Sequence, residues 1–332
     1  MILAGDVGGT KVNLALFNEQ DGDLVEVEQA TFKSAEFSGL NEILEDFAGD
    51  QKGKISRAGF GVAGPVRDGY CEVTNLKNWR VNKAEIQQQL RIDSVWLLND
   101  LTAMACSVPF LSAEDFHTLQ AGTHDPLGRV AVIAAGTGLG QAFLVPQEHG
   151  RYLPIDTEGG HCDFAPRTER EIELIQFLKN EFPRISIERV LSGAGLTNIY
   201  RFISQSLSIQ PEPGLTPDVS LEERARAIVR LGLAGESTAC QQALELFVGV
   251  FGAVAGNMAL QLLTRGGVIL GGGIAPAIIS LLKQGKFMQC FRDKGRFSGF
   301  MKEIPVRVIL NEKAPLIGVA QYALGKRFLR NI

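Results

Sequence analysis

The feature that most constrains this sequence is a glycine-rich turn set between two apolar stretches at its start. Ile2, Leu3 and Ala4 are followed by Gly5-Asp6-Val7-Gly8-Gly9-Thr10, after which Val12, Leu14 and Leu16 fall on alternate positions. Alternating apolar residues on both sides of a glycine-rich turn predict a β-hairpin. The same event recurs. An apolar strand over 130–135 runs into Gly136-Thr137-Gly138-Leu139-Gly140, and Ala142-Phe143-Leu144-Val145 returns as a strand. Each hairpin opens a stretch in which strands alternate with helices, which predicts a mainly parallel sheet wrapped by helices. Two such openings point to an internal duplication of architecture, the halves having little direct identity.

Other elements follow from periodicity and turn residues. A third strand is expected over 24–32 after the Asp21-Gly22-Asp23 turn. A helix over 40–47, a strand over 55–62, a helix over 84–90 and an apolar strand over 95–98 come next. The later chain is mostly helical, over 169–182, 188–207, 221–233 and 239–264. A buried strand over 268–270 enters Gly271-Gly272-Gly273, a helix follows Pro276, a strand covers 306–310 and a closing helix 314–329. The Pro-rich stretch 210–217 is expected as a surface loop.

At 332 residues the chain is long for one core, and at about 150 residues per domain two domains are expected. The boundaries fall at 1–110 with 312–332 for a small domain and 111–311 for a large one. A net charge of −4 with interspersed signs gives no surface suited to nucleic acid or an anionic membrane. The start lacks a basic region and a cleavable apolar segment, so no secretory signal is expected. The apolar stretch 247–263 is interrupted by Gly249, Gly252, Gly256 and Asn257, which argues against a membrane span. Five scattered cysteines without a CxxC pair fit reduced thiols in a cytoplasmic protein.

Polyphosphate needs several backbone N–H groups aimed at it, and glycine permits that close approach. Three turns qualify: 6–11, 136–140 and 271–273. Gly136-Thr137-Gly138-Leu139-Gly140-Gln141 has the wrong spacing for a dinucleotide fingerprint, and strand-like residues follow where a helix should begin. No GxxxxGK[ST] motif occurs.

The three turns resemble the first phosphate loop, second phosphate loop and adenosine motif of the hexokinase–actin–Hsp70 superfamily. Leu98-Asn99-Asp100-Leu101-Thr102-Ala103, Glu158-Gly159-Gly160-His161, Cys162-Asp163-Phe164-Ala165-Pro166, Glu188-Arg189-Val190-Leu191-Ser192-Gly193 and Asp293-Lys294-Gly295-Arg296-Phe297 resemble bacterial glucokinases in order and spacing. The resemblance covers essentially the whole chain. It implies an α/β, two-domain actin-like ATPase (ribonuclease H-like) fold with a duplicated β-sheet core and an interdomain cleft. It further implies ATP-dependent phosphorylation of glucose at its 6-hydroxyl, Mg²⁺ as cofactor and a homodimer.

The same resemblance implies that Asn99, Asp100, Glu158, His161 and Glu188 bind glucose. Asp100 would be the base. Asp6 would orient Mg²⁺ through water. Gly8, Gly9, Thr10, Lys11, Gly136, Thr137, Gly138, Gly272 and Gly273 would hold the nucleotide. Each has a plainer reading alone. Asn99-Asp100 could cap a helix, Glu158 could be a loop carboxylate, His161 a structural histidine, and Glu188 a first-turn helix residue. Lys11 could bind phosphate or lie on the surface. The related ROK kinases and repressors carry zinc on a His and clustered Cys. Here Cys162 has no cysteine near it in sequence, so no structural zinc is expected. Other hexoses (fructose, mannose, N-acetyl sugars), other donors (ADP, polyphosphate) and a sugar-sensing regulator on the same fold are the rival readings.

Overall fold

The computed structural model describes residues 1–20, 23–74, 76, 79–123, 125–148 and 152–325. Strands β1 (Ile2–Val7) and β2 (Lys11–Gln20) form the first hairpin, and β3 (Asp23–Lys33) pairs with β2 across a bulge at Leu16/Phe17. Next come β4 (Arg57–Val62), the short hairpin β5 (Tyr70–Glu72) and β6 (Arg80–Asn82), and β7 (Val95–Asn99). The first large sheet has the order β3-β2-β1-β4-β7, with β1, β4 and β7 parallel.

The second sheet is built from β8 (Phe116–Gln120), β9 (Val130–Ala135), β10 (Leu139–Pro146), β11 (Tyr152–Thr157), β12 (Gly267–Gly271) and β13 (Val306–Ile309). Its order is β11-β10-β9-β12-β13-β8, with β9, β12 and β13 parallel. Apart from the extra edge strand β8, this repeats the first sheet strand for strand. The duplication expected from the two hairpins is therefore a duplication of sheet topology. Strand β10 begins at Leu139, so the second glycine turn is shorter than its five-residue motif.

The chain divides into two compact units. One comprises Met1–Phe116, Ala142–Asp156 and Asn311–Ile332; the other comprises His117–Gln141 and Thr157–Leu310. In the first, alternate residues of β1 and β2 enter opposite cores, as a pleated strand requires. Leu3, Val7, Val12, Leu14 and Leu16 pack with Leu40, Ile43, Leu44, Ile86 and Leu90 of the helices Leu40–Ala48 and Lys83–Leu90. Ile2, Ala4, Ala15 and Phe17 pack with Ala103, Leu316, Val319 and Ala320. These come from the helices Asp100–Ser107 and Ala314–Ala323. With helices on both faces, β1 is buried almost throughout. Gly318 lets the two helices of the second layer touch: a Cβ there would lie 1.8 Å from the Ala103 carbonyl oxygen.

The second unit centres on the 25-residue helix Thr238–Leu262. It is long and apolar enough to span a membrane, but 78% of its apolar stretch is buried inside the protein. Its Phe247 and Phe251 continue into Phe287 and Phe291 of the helix Lys286–Arg292, with ring centroids 5.6 to 6.3 Å apart. All four rings are fully buried, each contributing about 1.5–3 kcal/mol by removal from water.

The helix expected over 188–207 is broken in two. A 3₁₀ turn, Ile187–Arg189, precedes Ser192, whose hydroxyl accepts from the Gly195 amide and caps a helix over Gly193–Ser206. Glu188 is thus a turn residue rather than a first-turn helix residue. Strands β5, β6, β8 and β11 were not anticipated by the apolar pattern. The helix expected over 314–329 is observed as Ala314–Ala323, and 326–329 lie outside the described residues.

Candidate active site

In the first unit the parallel strands bring their C-terminal ends into register, with Val7 opposite Val62 and Val62 opposite Asn99. Asp6 near the end of β1 and Asn99-Asp100 at the end of β7 therefore leave the same sheet edge, where open α/β sheets bind their ligands. The first turn is closed by the Gly8 amide donating to Lys11 O (3.0 Å). The buried Ser34 braces it by donating its hydroxyl to Gly8 O (3.1 Å). Gly9 and Thr10 form its tip, and Thr10 and Lys11 are exposed.

Asp6 is half-buried and accepts from the Asn13 side-chain amide at 3.1 Å. Burial pushes its carboxyl above the ordinary carboxylate value, against the opposing pull of Asn13 and of the Lys11 charge. A carboxylate held this way is short of positive charge, and a divalent cation fits that need. The charge of Lys11 acts on Asp6, which places this lysine within the turn's electrostatics.

Asn99 is a helix cap. Its Oδ1 accepts from the Leu101 and Thr102 amides at 3.0 and 3.4 Å, and its Nδ2 donates to Gly64 O at 3.3 Å. Asp100 is the first residue of that helix, at the positive end of its dipole. Its Oδ1 accepts from the Leu101 amide at 2.8 Å. A Cβ on Gly61 would lie 2.7 Å from the Ala103 Cβ and 3.5 Å from the Asp100 Cα. That glycine lets the helix sit down on β4. The nearby Cys71 thiol is pushed up to about 11 by burial first, then by the charges of Asp100 and Glu72.

In the second unit β9 and β12 are adjacent and parallel, so both of their glycine turns emerge together, Gly271 standing opposite Ala134. Gly272 has φ +78° and lies so close to β9 that a Cβ would meet Ala135 O at 2.4 Å. Only glycine satisfies both conditions. Gly273 follows, with nothing within 4 Å of its Cβ position. In the other turn the Gly136 amide donates to Gly138 O (2.9 Å), and Gly136 O accepts from Gly193, the first residue of the helix Gly193–Ser206 (2.8 Å). Thr137 stands between the two glycines.

Glu188 reaches this turn directly, its Oε2 accepting from the Leu139 amide at 2.8 Å. Glu158 precedes, and His161 ends, a second short 3₁₀ turn, Gly159–His161. The His161 amide donates to Glu158 O, and the Ile187 amide donates to Cys162 O, each at 2.9 Å. The side chains of Glu158 and His161 are 69% and 56% exposed, and their charged atoms are 3.8 Å apart. The structure thus gathers Glu158, His161 and Glu188 beside Gly136, Thr137 and Gly138, with Gly272 and Gly273 on the neighbouring strand. Cys162 is exposed. Among the described residues no group of three His, Cys, Asp or Glu side chains is arranged to hold a metal. Gln141 was not singled out by the motifs, yet it is 6% exposed and packs behind this cluster.

Known proteins resemble this chain along nearly its whole length. Among solved structures, a glucokinase from an Antarctic psychrotroph superposes with TM-score 0.84 at 31% identity, covering 98% of both chains. A Balamuthia mandrillaris glucokinase in complex with glucose gives 0.81 at 23% identity, covering 98% of this chain and 93% of that one. The fold is the actin-like two-domain fold of the sugar kinases. A family model described as glucokinase matches residues 3–326. A Synechocystis sp. glucokinase is 41% identical, covering 96% of each chain. A Yersinia pestis glucokinase is 37% identical, covering 98% of this chain and 96% of that one. The chain belongs to the glucokinase family.

Proposed function

We propose that this protein transfers the γ-phosphoryl group of ATP to the 6-hydroxyl of D-glucose, giving glucose 6-phosphate and ADP, with Asp100 as base. The observation that carries the reading is the register of β1, β4 and β7, which sends Asp6 and Asp100 from one sheet edge. Phosphoryl transfer through a loose transition state asks mainly for positioning, neutralised phosphate charge and exclusion of water. Asp100 accepts the hydroxyl proton as the phosphoryl group arrives.

Asn99, Glu158, His161 and Glu188 bind the sugar hydroxyls, carboxylates accepting and the amide and imidazole doing either. Asn99 serves through the donor capacity left by its cap, and Glu188 through the oxygen not used by Leu139. Gly8, Gly9, Thr10, Lys11, Gly136, Thr137 and Gly138 hold the phosphates, and Gly272 and Gly273 leave room for the nucleoside. Asp6 would hold Mg²⁺, which would supply neutralisation of the polyphosphate charge. A homodimer in the cytoplasm feeding glycolysis completes the reading, the dimer being open to sedimentation analysis.

The test is a coupled assay of ADP release with ATP and a panel of glucose, fructose, mannose and N-acetylglucosamine. Preferential turnover of glucose supports the reading. Preference for another hexose moves the substrate, and no turnover with any of them sinks the kinase assignment.

A further inference from the structure

Glu158 and His161 are largely exposed, and two glycines separate them. Their side-chain contacts do little to fix them; the turn is held by its own backbone hydrogen bonds, by Arg184 donating to His161 O (2.7 Å), and by what lies behind it. Behind it is the start of β10. A Cβ on Gly160 would fall 2.2 Å from Leu139 O, and one on Gly159 would fall 2.1 Å from Gln141 Oε1. Thr157 Oγ1 donates to Gln141 O at 2.9 Å and accepts from the Gly159 amide at 3.2 Å. The Gln141 side chain is therefore pressed flat against the turn. Its Nε2 is enclosed and has no hydrogen-bond partner among the described residues. A buried amide donor left unmade is costly, and an apolar side chain of the same size would avoid that cost.

We propose that Gln141 is a positioning residue for sugar recognition. Its side chain packs beneath the Glu158-Gly159-Gly160-His161 turn with Oε1 against Gly159, holding Glu158 and His161 in the arrangement that meets the substrate. The inference rests on the reading of Glu158 and His161 as sugar ligands. Because residues 139–141 follow the second phosphate turn directly, the sugar turn is referenced to the same strand that carries the phosphate site. A positioning role toward one substrate predicts a split between the two substrates' constants. A general packing role does not.

The experiment compares the full-length Gln141→Leu, Gln141→Glu and Glu158→Gln variants. Glucose affinity is measured by calorimetry without nucleotide, the KM for each substrate by steady-state kinetics, and Tm by calorimetric melting. The Leu variant, which no longer presents a planar amide beneath the turn, is expected to bind glucose about tenfold more weakly. Its KM for ATP should be unchanged and its Tm equal or higher. Unchanged glucose affinity overturns the proposal. So does equal weakening of both substrates with a lowered Tm. If the Leu variant fails to fold, the isosteric Glu variant is read by the same criteria. If Glu158→Gln weakens glucose and the Gln141 variants do not, only the positioning role falls. If Glu158→Gln binds glucose normally, the sugar-ligand reading falls and takes this inference with it.

Discussion

The Glu188 carboxylate holds the Leu139 amide at 2.8 Å, tying a candidate sugar ligand to the first residue after the second phosphate turn. The approach is possible because residue 138 is glycine: a Cβ there would stand 2.7 Å from Glu188 Oε2. One carboxylate oxygen is spent on the backbone and the other remains for a hydroxyl. In the proposed function, this contact would couple sugar recognition by Glu188 to the shape of the Gly136-Thr137-Gly138 turn.

Gly138→Ala tests this link. The clashing atom is the far end of a flexible side chain, so Glu188 can swing aside and thermal stability should barely change. Glucose and ATP should both lose kcat/KM, by about a hundredfold for a displacement near 1 Å. Steady-state kinetics with each substrate varied in turn checks it, and constants equal to those of the unaltered enzyme would refute the link.

Gly318→Ala should behave in the opposite way. Here the added methyl would meet the Ala103 carbonyl oxygen and the Ser107 amide nitrogen, both backbone atoms within a helix that cannot swing aside. Overpacking at such a site costs about 1–3 kcal/mol. Urea unfolding should show a lowered midpoint, and because Asp100 heads the displaced helix, kcat should fall as well.

Asp6→Asn should abolish most turnover and yet stabilise the free protein near neutral pH. The raised pKa of Asp6 means that the folded state binds its proton more tightly than the unfolded chain does. Its contribution is most favourable below the unfolded carboxylate pKa, and is lost as pH rises through the folded value. The Tm advantage of the Asn variant should therefore be near zero below about pH 4 and grow toward neutrality. Melting curves across that range check the sign. A variant less stable than the unaltered protein at neutral pH would contradict it.

Thiol chemistry should separate the cysteines. Cys71 and Cys106 are buried, and burial pushes the Cys71 thiol up to about 11, so neither should react at neutral pH. Cys162 is exposed and adjoins His161. Iodoacetamide should label Cys162 first, and glucose should protect it. Mass spectrometry of the labelled peptides with and without glucose checks both points.

Much of this was legible in the residues. The hairpin signature around Gly8-Gly9 and around Gly136-Thr137-Gly138 gave both sheet openings, because apolar alternation flanking glycine has few other solutions. Other parts were not legible, for physical reasons. Tyr70–Glu72 and Arg80–Asn82 are three residues each, too short for period two to register. The apolar spacing across 187–203 runs on at helical period. The break at Ser192 is marked only by a capping serine followed by Gly193 and Gly195.

The site was legible as a set of motifs and not as a set of contacts. Asn99 has the sequence of a sugar ligand and the hydrogen bonds of a helix cap, and both uses fit one amide. Glu188 lies in an apolar pattern of helical spacing, and its contact with Leu139, far away in sequence, is set by tertiary packing. No local pattern marks Gln141, whose place behind Gly159 is set by tertiary packing alone.

The central claim is that Asp100 is the base, and rapid-quench measurement of kcat for Asp100→Asn, with calorimetry of glucose binding beside it, tests it most directly. The account predicts a fall in kcat of at least about 10²–10⁴-fold with only a modest change in glucose affinity. Near-normal turnover in the Asn variant would contradict it.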